Sequence, residues 1–214
     1  MKAVNLELLL PADIPHGERI LWHGRPQWIS LARRAFRADY VAAYFGAVAA
    51  INFIIAGYSG GLAEAGLSAT KTLAAGAAAL SLLFLLAYLA SRTSLYVVTS
   101  RRVIMKIGIA LPIFLNLPFS SIAAAALHAY PDGTGEIPLA LAGGTHIAYL
   151  HLWPHARPFR LARPEPALRS VRNAAAVAET LGRALVAAAE ETRAAGDRPV
   201  AGAEAYPDAA VAAA

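Results

Sequence analysis

Two long runs of apolar residues dominate the pattern of hydrophobic and polar positions in this chain. Asp39 and Glu64 bound the first uncharged run, and Lys71 and Arg92 bound the second. The hydrocarbon core of a bilayer is about 30 Å thick, and roughly 20 apolar residues cross it as a helix. Neither run shows the alternation of a strand. The pattern therefore predicts a membrane α-helical hairpin, with two transmembrane helices, over residues 40–90.

Basic residues collect at one end of this predicted hairpin. Arg33, Arg34 and Arg37 precede the first span and Arg92 follows the second, whereas the connection carries one lysine and one glutamate. Lysine and arginine near the ends of spans are retained on the cytoplasmic side of a membrane. We therefore expect both chain termini in the cytoplasm, with the connection on the opposite side.

The first span offers a small face and one polar group for helix packing. Gly46 and Ala50 belong to the small face, and small residues let helix backbones approach closely. Asn52 lies near the middle of the same span, where a polar side chain is costly without a partner. Two interpretations stay open for Asn52, namely a hydrogen bond within the hairpin or a contact with a span of another protein.

Residues 1–39 are predicted to form a segment that leads into the membrane. Side chains alternate around Ile20 and Trp22, which favours a short strand there. Residues 28–37 are typical of an amphipathic lead-in, in which Trp28 enters the membrane interface while neighbouring arginines meet lipid headgroups.

Short β-rich segments follow the second span. Their predicted bounds are 95–99, 103–107, 113–117, 122–130, 137–142 and 146–153. Lys106 and two prolines interrupt the apolar stretch 103–119, so no third span is predicted there. A helical repeat of apolar residues covers 166–194. Together these segments predict an α+β domain over 93–195, an antiparallel β-barrel or sandwich capped by a C-terminal helix.

Composition supports a membrane protein and limits its chemistry. Of the 214 residues, 57% are hydrophobic and 15% are charged, and the formal net charge is +5. Attraction of arginine to anionic lipid explains that charge, and no basic patch interleaved with aromatic residues points to nucleic acid. The absence of cysteine excludes disulfides and thiol catalysis. Residues 196–214 are rich in alanine, glycine and proline, and are predicted to be a disordered tail.

Candidate catalytic or metal-binding groups are sparse. His146, His151 and His155 match no common zinc spacing, so structural histidine is the preferred interpretation. Neither span contains a histidine that could ligate a tetrapyrrole. No phosphate-binding loop or serine-nucleophile motif is present. Three scattered carboxylates are interpreted as solvated turn residues: Glu18, Asp132 and Glu136. We therefore expect a non-enzyme that holds no metal and no cofactor.

Several blocks of the sequence resemble a known family. They cover residues 15–28, 31–36, 96–105, 115–119 and 147–158. Together they are similar to the PuhB family of photosynthetic complex assembly proteins of purple bacteria. The pieces Glu-x-Ile-Leu-Trp-x-Gly-x-Pro and Tyr-x-x-Thr-x-x-Arg resemble a wider group of bacterial membrane proteins with a pleckstrin-homology-like (PH-like) domain. The wider resemblance implies a bent antiparallel β-barrel closed by a C-terminal helix.

The family resemblance also implies a function. It implies a non-enzymatic factor that helps to assemble the photosynthetic reaction centre around its H subunit, with an effect on the core antenna. The implied partners are the reaction-centre H subunit and the core antenna polypeptides, and a homodimer stays open. The implied location is the photosynthetic inner membrane of a bacterium. The alternative is a membrane-anchored PH-like module that binds lipid headgroups or peptides.

Contact residues are predicted from physical character rather than from the resemblance. The span face with Gly46, Ala50 and Asn52 could receive a partner helix. The three arginines before the first span would hold the membrane interface. Three tryptophans and an arginine rim predict a cytoplasmic docking surface: Trp22, Trp28, Trp153, Arg157, Arg160 and Arg163. Anchoring or core packing is the competing interpretation for each residue.

Overall fold

The computed structural model describes residues 15, 17–109, 111–142, 149–157 and 164–196. Its elements are β1 (Ile20–Gly24), α1 (Trp28–Arg34), α2 (Ala38–Thr93), β2 (Leu95–Thr99), β3 (Arg102–Ile107), β4 (Ile113–Pro118), a 3₁₀ turn (Phe119–Ser121), β5 (Ile122–Ala125), β6 (His128–Ala129), β7 (Thr134–Leu141), α3 (Tyr149–Leu152), β8 (Ala167–Arg172) and α4 (Ala174–Gly196). The strands, α3 and α4 are together called the β domain below.

The first sheet joins residues from both sides of α2. Its strand order is β1-β2-β3-β4, and every neighbouring pair is antiparallel. Gly24 of β1 is the register partner of Tyr96 in β2, although the whole of α2 lies between them in the sequence. Both ends of α2 are therefore held at the same sheet, and α2 must return to where it started.

The second sheet and α4 complete the β domain. The strand order is β5-β7-β6, and β8 also pairs with β7. Val177 and Leu181 lie one turn apart on α4 and are buried in the same core as the strands. Other fully buried members of this core are Tyr96, Met105, Ile107, Ile137, Leu139 and Leu168. The architecture is that of the sequence prediction, with antiparallel sheets closed by a C-terminal helix.

The apolar segment α2 is 56 residues long and folds back on itself. Gly61 lies inside it with φ of +78°, a conformation that glycine adopts without steric cost. Asn52 Nδ2 donates a hydrogen bond to Thr72 Oγ1 at 2.9 Å. In a straight helix, 20 residues would separate those groups by about 30 Å. Gly61 therefore divides α2 into two antiparallel arms, 38–60 and 62–93.

The two arms pack closely but leave their outer surface exposed. A Cβ added to Gly76 would lie 2.8 Å from Phe45, so glycine allows this approach. Only 17% of the most apolar window of α2 is buried. Large exposed side chains on the arms include Ile51, Ile54, Ile55, Leu73, Leu82 and Leu85. Within the described residues, α2 is the one helix whose length and composition suit a membrane crossing.

Helix α1 braces the second arm against the β domain. Leu31 is fully buried in one cluster with Ala87 and Ala90 of the second arm. On another side of α1, Ser30 Oγ shares a hydrogen bond of 2.9 Å with Thr134 Oγ1 at the start of β7. Helix α1 therefore contacts both parts of the molecule and fixes one relative to the other.

Three predicted elements differ from the structure. The single strand predicted over 122–130 is wrong, because β5 ends at Ala125 and the separate strand β6 covers His128–Ala129. The helix predicted over 166–194 is wrong at its start, because β8 occupies 167–172 and α4 begins only at Ala174. Leu168 fits a helical repeat, but its pairing with Ile137 of β7 places it in a strand. The strand predicted over 146–153 is wrong at 149–152, which form α3. Residues 143–148 and the predicted tail beyond 196 lie outside the described residues.

The predicted solvated carboxylates are also corrected in part. The Glu18 side chain is only 2% exposed, and its Oε2 lies 2.6 Å from Nη2 of Arg102. That guanidinium lowers the pKa of Glu18 against the effect of burial. Glu136 is likewise buried beside Arg169. Asp132 is exposed and accepts a hydrogen bond from the backbone of the turn it belongs to, as predicted.

Candidate functional site

A buried polar network joins the end of α2 to the β domain. His155 is fully buried, with Nε2 at 2.9 Å from Ser94 Oγ and Nδ1 at 2.5 Å from the Tyr96 hydroxyl. Ser94 directly follows α2, and Tyr96 belongs to β2. The backbone N–H of Arg169 in β8 donates to the same Tyr96 hydroxyl at 3.3 Å. The segments that contain Ser94, His155 and Arg169 are therefore linked through the imidazole and the Tyr96 hydroxyl.

His155 is neutral in this environment. Burial lowers its pKa to about 3, and the Arg169 guanidinium acts in the same direction. A neutral imidazole has one donor and one acceptor nitrogen. Both hydrogen bonds are satisfied when Tyr96 donates to Nδ1 and Nε2–H donates to Ser94. Burial also raises the pKa of Tyr96, so its hydroxyl keeps the proton.

Arg169 forms the second centre of the network. Its Nε and Nη2 donate to Glu136 Oε1 at 2.9 and 2.6 Å. Nη1 donates to the Pro154 carbonyl at 3.2 Å, and Nη2 also reaches the Arg34 carbonyl at 3.4 Å. A buried charge is tolerated when it is paired and hydrogen-bonded, and this guanidinium is paired with Glu136 and donates to two backbone carbonyls. Arg169 thereby ties β8 to β7, to the segment before His155 and to the end of α1.

These residues are called the junction network below: Ser94, Tyr96, Glu136, His155 and Arg169. Every hydrogen bond named above joins segments far apart in the sequence, so the network fixes the exit of α2 relative to both sheets. Within the described ranges, no group of three histidine, aspartate or glutamate side chains could hold a metal ion. The arrangement is suited to holding two parts of a molecule in a fixed relation.

The arginines predicted at the membrane interface surround α1 and the start of α2. Arg33 Nε lies 3.0 Å from a carboxylate oxygen of Asp39, in an exposed ion pair. The Arg34 guanidinium lies 4.2 Å from the centre of the Tyr130 ring. Arg37 precedes α2 with φ of 58° and is exposed. Its guanidinium lies 5.3 Å from the centre of the Tyr40 ring, so each of the three arginines has a partner on the protein.

The three predicted tryptophans have different environments. Trp28 is 38% exposed and meets the Phe84 ring edge-on at 6.2 Å. Trp153 is 44% exposed and meets Phe36 at 5.0 Å. Trp28 is the first residue of α1 and Trp153 packs on Phe36 just after α1, so both present apolar surface near this helix. Trp22 is half-buried against the core of the β domain.

The predicted arginine rim is only partly visible. Arg157 Nη1 lies 2.8 Å from Glu165 Oε2, so this guanidinium is already paired. Arg160 and Arg163 lie outside the described residues, as does His146. Within the described residues, the predicted rim therefore shows no arginine that is both exposed and unpaired.

The predicted partner face of the first arm is open, but Asn52 does not belong to it. Gly46 and Ala50 are exposed, and a Cβ added at Gly46 would touch nothing within 4 Å. Asn52 instead points to Thr72 of the other arm. Of the two interpretations of Asn52, the structure shows the hydrogen bond within α2.

The fold defines a class of protein: two antiparallel sheets closed by a C-terminal helix, with a long apolar helix inserted between the first and second strands. A family model of the bacterial PH domain matches residues 43–185, and the chain belongs to that family. The match begins within the first arm, so it includes the apolar segment. A Rhodobacter capsulatus relative, described as an uncharacterized 23.7 kDa protein in the puhA 5′ region, is 35% identical over 184 residues, or 85% of this chain and 86% of the relative. No solved structure matches the chain.

Reasoning from the sequence missed the junction network. Ser94 and Tyr96 lie about 60 positions from His155, and nothing in the local pattern links them. Glu136 follows a glycine-rich turn and was interpreted as solvated. One signal was present, because Tyr96 and His155 lie in two of the blocks that resemble a known family.

Proposed function

We propose that this chain is a membrane-anchored, non-enzymatic factor that helps to assemble the photosynthetic reaction centre. The gene position of the Rhodobacter capsulatus relative carries the proposal, since puhA is a reaction-centre gene. Neighbouring genes in bacteria commonly serve one process, and the match extends over most of both chains. Membership of the bacterial PH domain family agrees with a scaffold role in this proposal.

Two membrane crossings by α2 are part of this proposal. The outer surface of its arms is apolar and exposed, and monomers in water rarely expose a large contiguous apolar surface. β1 and β2 are neighbours in one sheet, so the residues before and after α2 lie on the same side of any membrane. A single crossing is incompatible with that pairing, whereas two crossings with a turn at Gly61 agree with it.

The distribution of arginines supports an orientation in which α2 crosses the inner membrane and the β domain lies on its cytoplasmic side. Arg33, Arg34, Arg37 and Arg92 all lie at the end of α2 that meets the β domain. The cytoplasmic end of a span is where such residues accumulate. In this orientation the arms can meet newly inserted spans, while Trp28 and Trp153 face soluble parts of the same partner. The reaction-centre H subunit and the core antenna polypeptides are the proposed partners.

The alternative, a module that binds headgroups or peptides through its arginine rim, has less support at the predicted residues. Arg157 already pairs with Glu165. Binding of vesicles by the full chain that is unaffected by Arg157→Ala would remove that version of the alternative.

A chromosomal deletion tests the proposed function. In the bacterium that carries this gene, the deletion should lower reaction-centre content several-fold, measured by light-induced bleaching, while bacteriochlorophyll is still made. Complementation with Gly46→Leu, on the exposed small face, should restore less than the wild-type gene. Ala78→Leu, at an exposed alanine of the other arm, is the matched control and should restore fully. Normal reaction-centre content in the deletion strain would reject the proposal.

Reporter fusions test the topology independently. A reporter inserted at Gly61 and a reporter placed after Gly196 are expected on opposite sides of the inner membrane. Both reporters on one side would exclude two crossings and would leave the arms to be covered by protein.

A further inference from the structure

An apolar groove lies between the second half of α4 and the start of β5. It has a volume of about 580 Å³, and pockets that bind ligands typically measure roughly 300–1,000 Å³. Most of its walls are apolar, and among the described lining residues Arg193 alone is charged. The residues that matter here are Phe119, Ile122, Leu185, Val186, Ala189 and Arg193. Val186 is 58% exposed, so the groove presents apolar surface to its occupant.

The strand beside this groove has an unpaired edge. Within the described residues, β5 pairs only with β7 and stands at the end of the strand order β5-β7-β6. Residues 123–125 are exposed alanines, and no charge or proline occurs between Ser120 and Leu127. Charged side chains and prolines commonly protect such edges, because a free edge can pair with another strand. The edge of β5 carries neither protection, so it is open to an added strand.

The groove lies at the end of the β domain that is farther from α2. Leu95 follows α2 closely and pairs with Lys106, at one end of β3. At the other end of β3, about 13 Å away, Arg102 pairs with Pro118. Phe119 of the groove wall comes directly after Pro118. A bilayer that holds α2 would therefore leave this groove uncovered, so the fitting occupant is a segment of protein.

The chain enters the β domain beside the same groove wall. Glu18 Oε2 lies 2.6 Å from Arg102 Nη2, and Arg102 is the register partner of Pro118, next to Phe119. The residues that precede Glu18 thus emerge near this wall. When extended, residues 11–17 can span roughly 20 Å, which is sufficient to bring residues 4–10 to the edge of β5.

Residues 4–10, which lie outside the described residues, have a sequence that suits this groove. The run Val-Asn-Leu-Glu-Leu-Leu-Leu places aliphatic side chains at every second position: Val4, Leu6, Leu8 and Leu10. In a strand these side chains share one face. Glu7 is the one charge of the run, and it is complementary to Arg193. Residues 197–214, which follow α4, contain no leucine, isoleucine or phenylalanine to fill the groove.

We propose that residues 4–10 of this chain bind in the groove as an added strand on β5. The aliphatic row faces α4, and Glu7 lies at the rim that carries Arg193. This intramolecular pairing covers the apolar groove and closes the β5 edge to strands of other proteins. The inference does not depend on which complex the protein helps to assemble.

Crosslinking between two introduced cysteines tests the pairing, because the natural chain has no cysteine. Asn5→Cys/Ala123→Cys in the full chain, in neutral detergent, should react with a short bismaleimide to give an intramolecular crosslink, identified by mass spectrometry of the monomer. Asn5→Cys/Ala175→Cys is the comparison, since Ala175 is exposed at the start of α4. Neighbouring Ala174 packs against Gly135, which is about 20 Å along β7 from the pairing with β5. The comparison pair should therefore crosslink more slowly.

A matched pair of substitutions on α4 tests the groove itself. Ala187 and Ala189 are both exposed, but only Ala189 lines the groove. In the Asn5→Cys/Ala123→Cys background, Ala189→Asp should slow crosslinking, whereas Ala187→Asp should leave its rate unchanged. Leu6→Asp/Leu8→Asp should weaken docking roughly 100-fold, at about tenfold for each leucine, and should lower the rate to that of the comparison pair. Equal rates with Ala187→Asp and Ala189→Asp would overturn the proposal.

Hydrogen exchange provides a readout that needs no cysteine. The backbone amides of residues 123–125 should exchange faster in a chain that lacks residues 2–10 than in the full chain, and equal exchange would contradict the added strand. Crosslinks that form only between two molecules would assign the groove to a second copy and overturn occupancy by the chain's own segment. None of these outcomes alters the reaction-centre content of the deletion strain, so the two proposals fail separately.

Discussion

Acidification is expected to loosen the joint between α2 and the β domain, because buried His155 resists protonation. Burial lowers its pKa from 6.5 to about 3, and the nearby Arg169 guanidinium adds to this effect. At mildly acidic pH the unfolded chain therefore binds one more proton at His155 than the folded chain does. Stability consequently falls as the pH drops from about 6.5 towards 3, and it is fully retained above that range.

The magnitude follows from the two pKa values. One proton of difference changes the free energy of unfolding by at most about 1.4 kcal/mol per pH unit. Between pH 7.5 and 5.5, His155 should account for a loss of about 1.3 kcal/mol. Other groups with shifted pKa values do not change protonation between pH 7.5 and 5.5. Burial raises the pKa of Tyr96, and the ion pair with Arg102 lowers the pKa of Glu18. Glu18 and Asp132, whose pKa is also lowered, lose their contributions only at more acidic pH.

Denaturant unfolding of the full chain in neutral detergent measures this difference. Tryptophan fluorescence is a suitable signal, because Trp153 lies two residues from His155. His155→Gln is the matched variant, since an amide both donates and accepts but does not titrate. The variant should be less stable at pH 7.5 and should lose about 1.3 kcal/mol less than the wild type on moving to pH 5.5. Equal losses in the two proteins would refute the assignment of a buried, neutral imidazole.

Two further predictions concern the other buried polar contacts. Arg169→Met should cost about 3–5 kcal/mol, because Glu136 is left buried without its partner. Adding Glu136→Leu should recover most of that loss in the same denaturation assay, and a double variant as unstable as the single one would contradict this reasoning. Asn52→Leu should cost about 0.6–1.7 kcal/mol, the range for hydrogen bonds between helices in membranes. This cost stays small because the Thr72 hydroxyl keeps its hydrogen bond to the Ser68 carbonyl. Thr72→Val should lower the free energy of unfolding in detergent by a similar amount.

Periodicity and charge were sufficient to locate the large elements. The runs between Asp39 and Arg92 contain so few charges that only an apolar helix explains them. The strands β2, β3 and β4 follow from short β-rich runs separated by turns, and the structure confirms them within a residue or two. These features are visible in the sequence because each depends on residues that are close to one another along the chain.

Long-range pairing determined what the sequence could not predict. Leu168 and Val171 suit either a helix or a buried strand, and only the pairing of β8 with β7 decides between them. Residues 149–152 carry mixed apolar and aromatic side chains and form the short helix α3. Glu136 follows a turn, and its burial depends on Arg169, 33 positions away. For β8 and for Glu136 the deciding partner lies in another element of the fold.

The position of α2 within the β domain bears directly on the proposed function. An anchor attached by a flexible linker would let a soluble domain move freely over the membrane. Here the chain enters α2 through α1, which is packed on the second arm, and leaves it through Ser94, which is bonded to His155. Both connections are short, and Phe36 and Ser94 are buried in them, so α2 is held against the sheets at both of its ends. A factor that must bring membrane spans and a soluble subunit of one complex into a fixed relation requires such a joint.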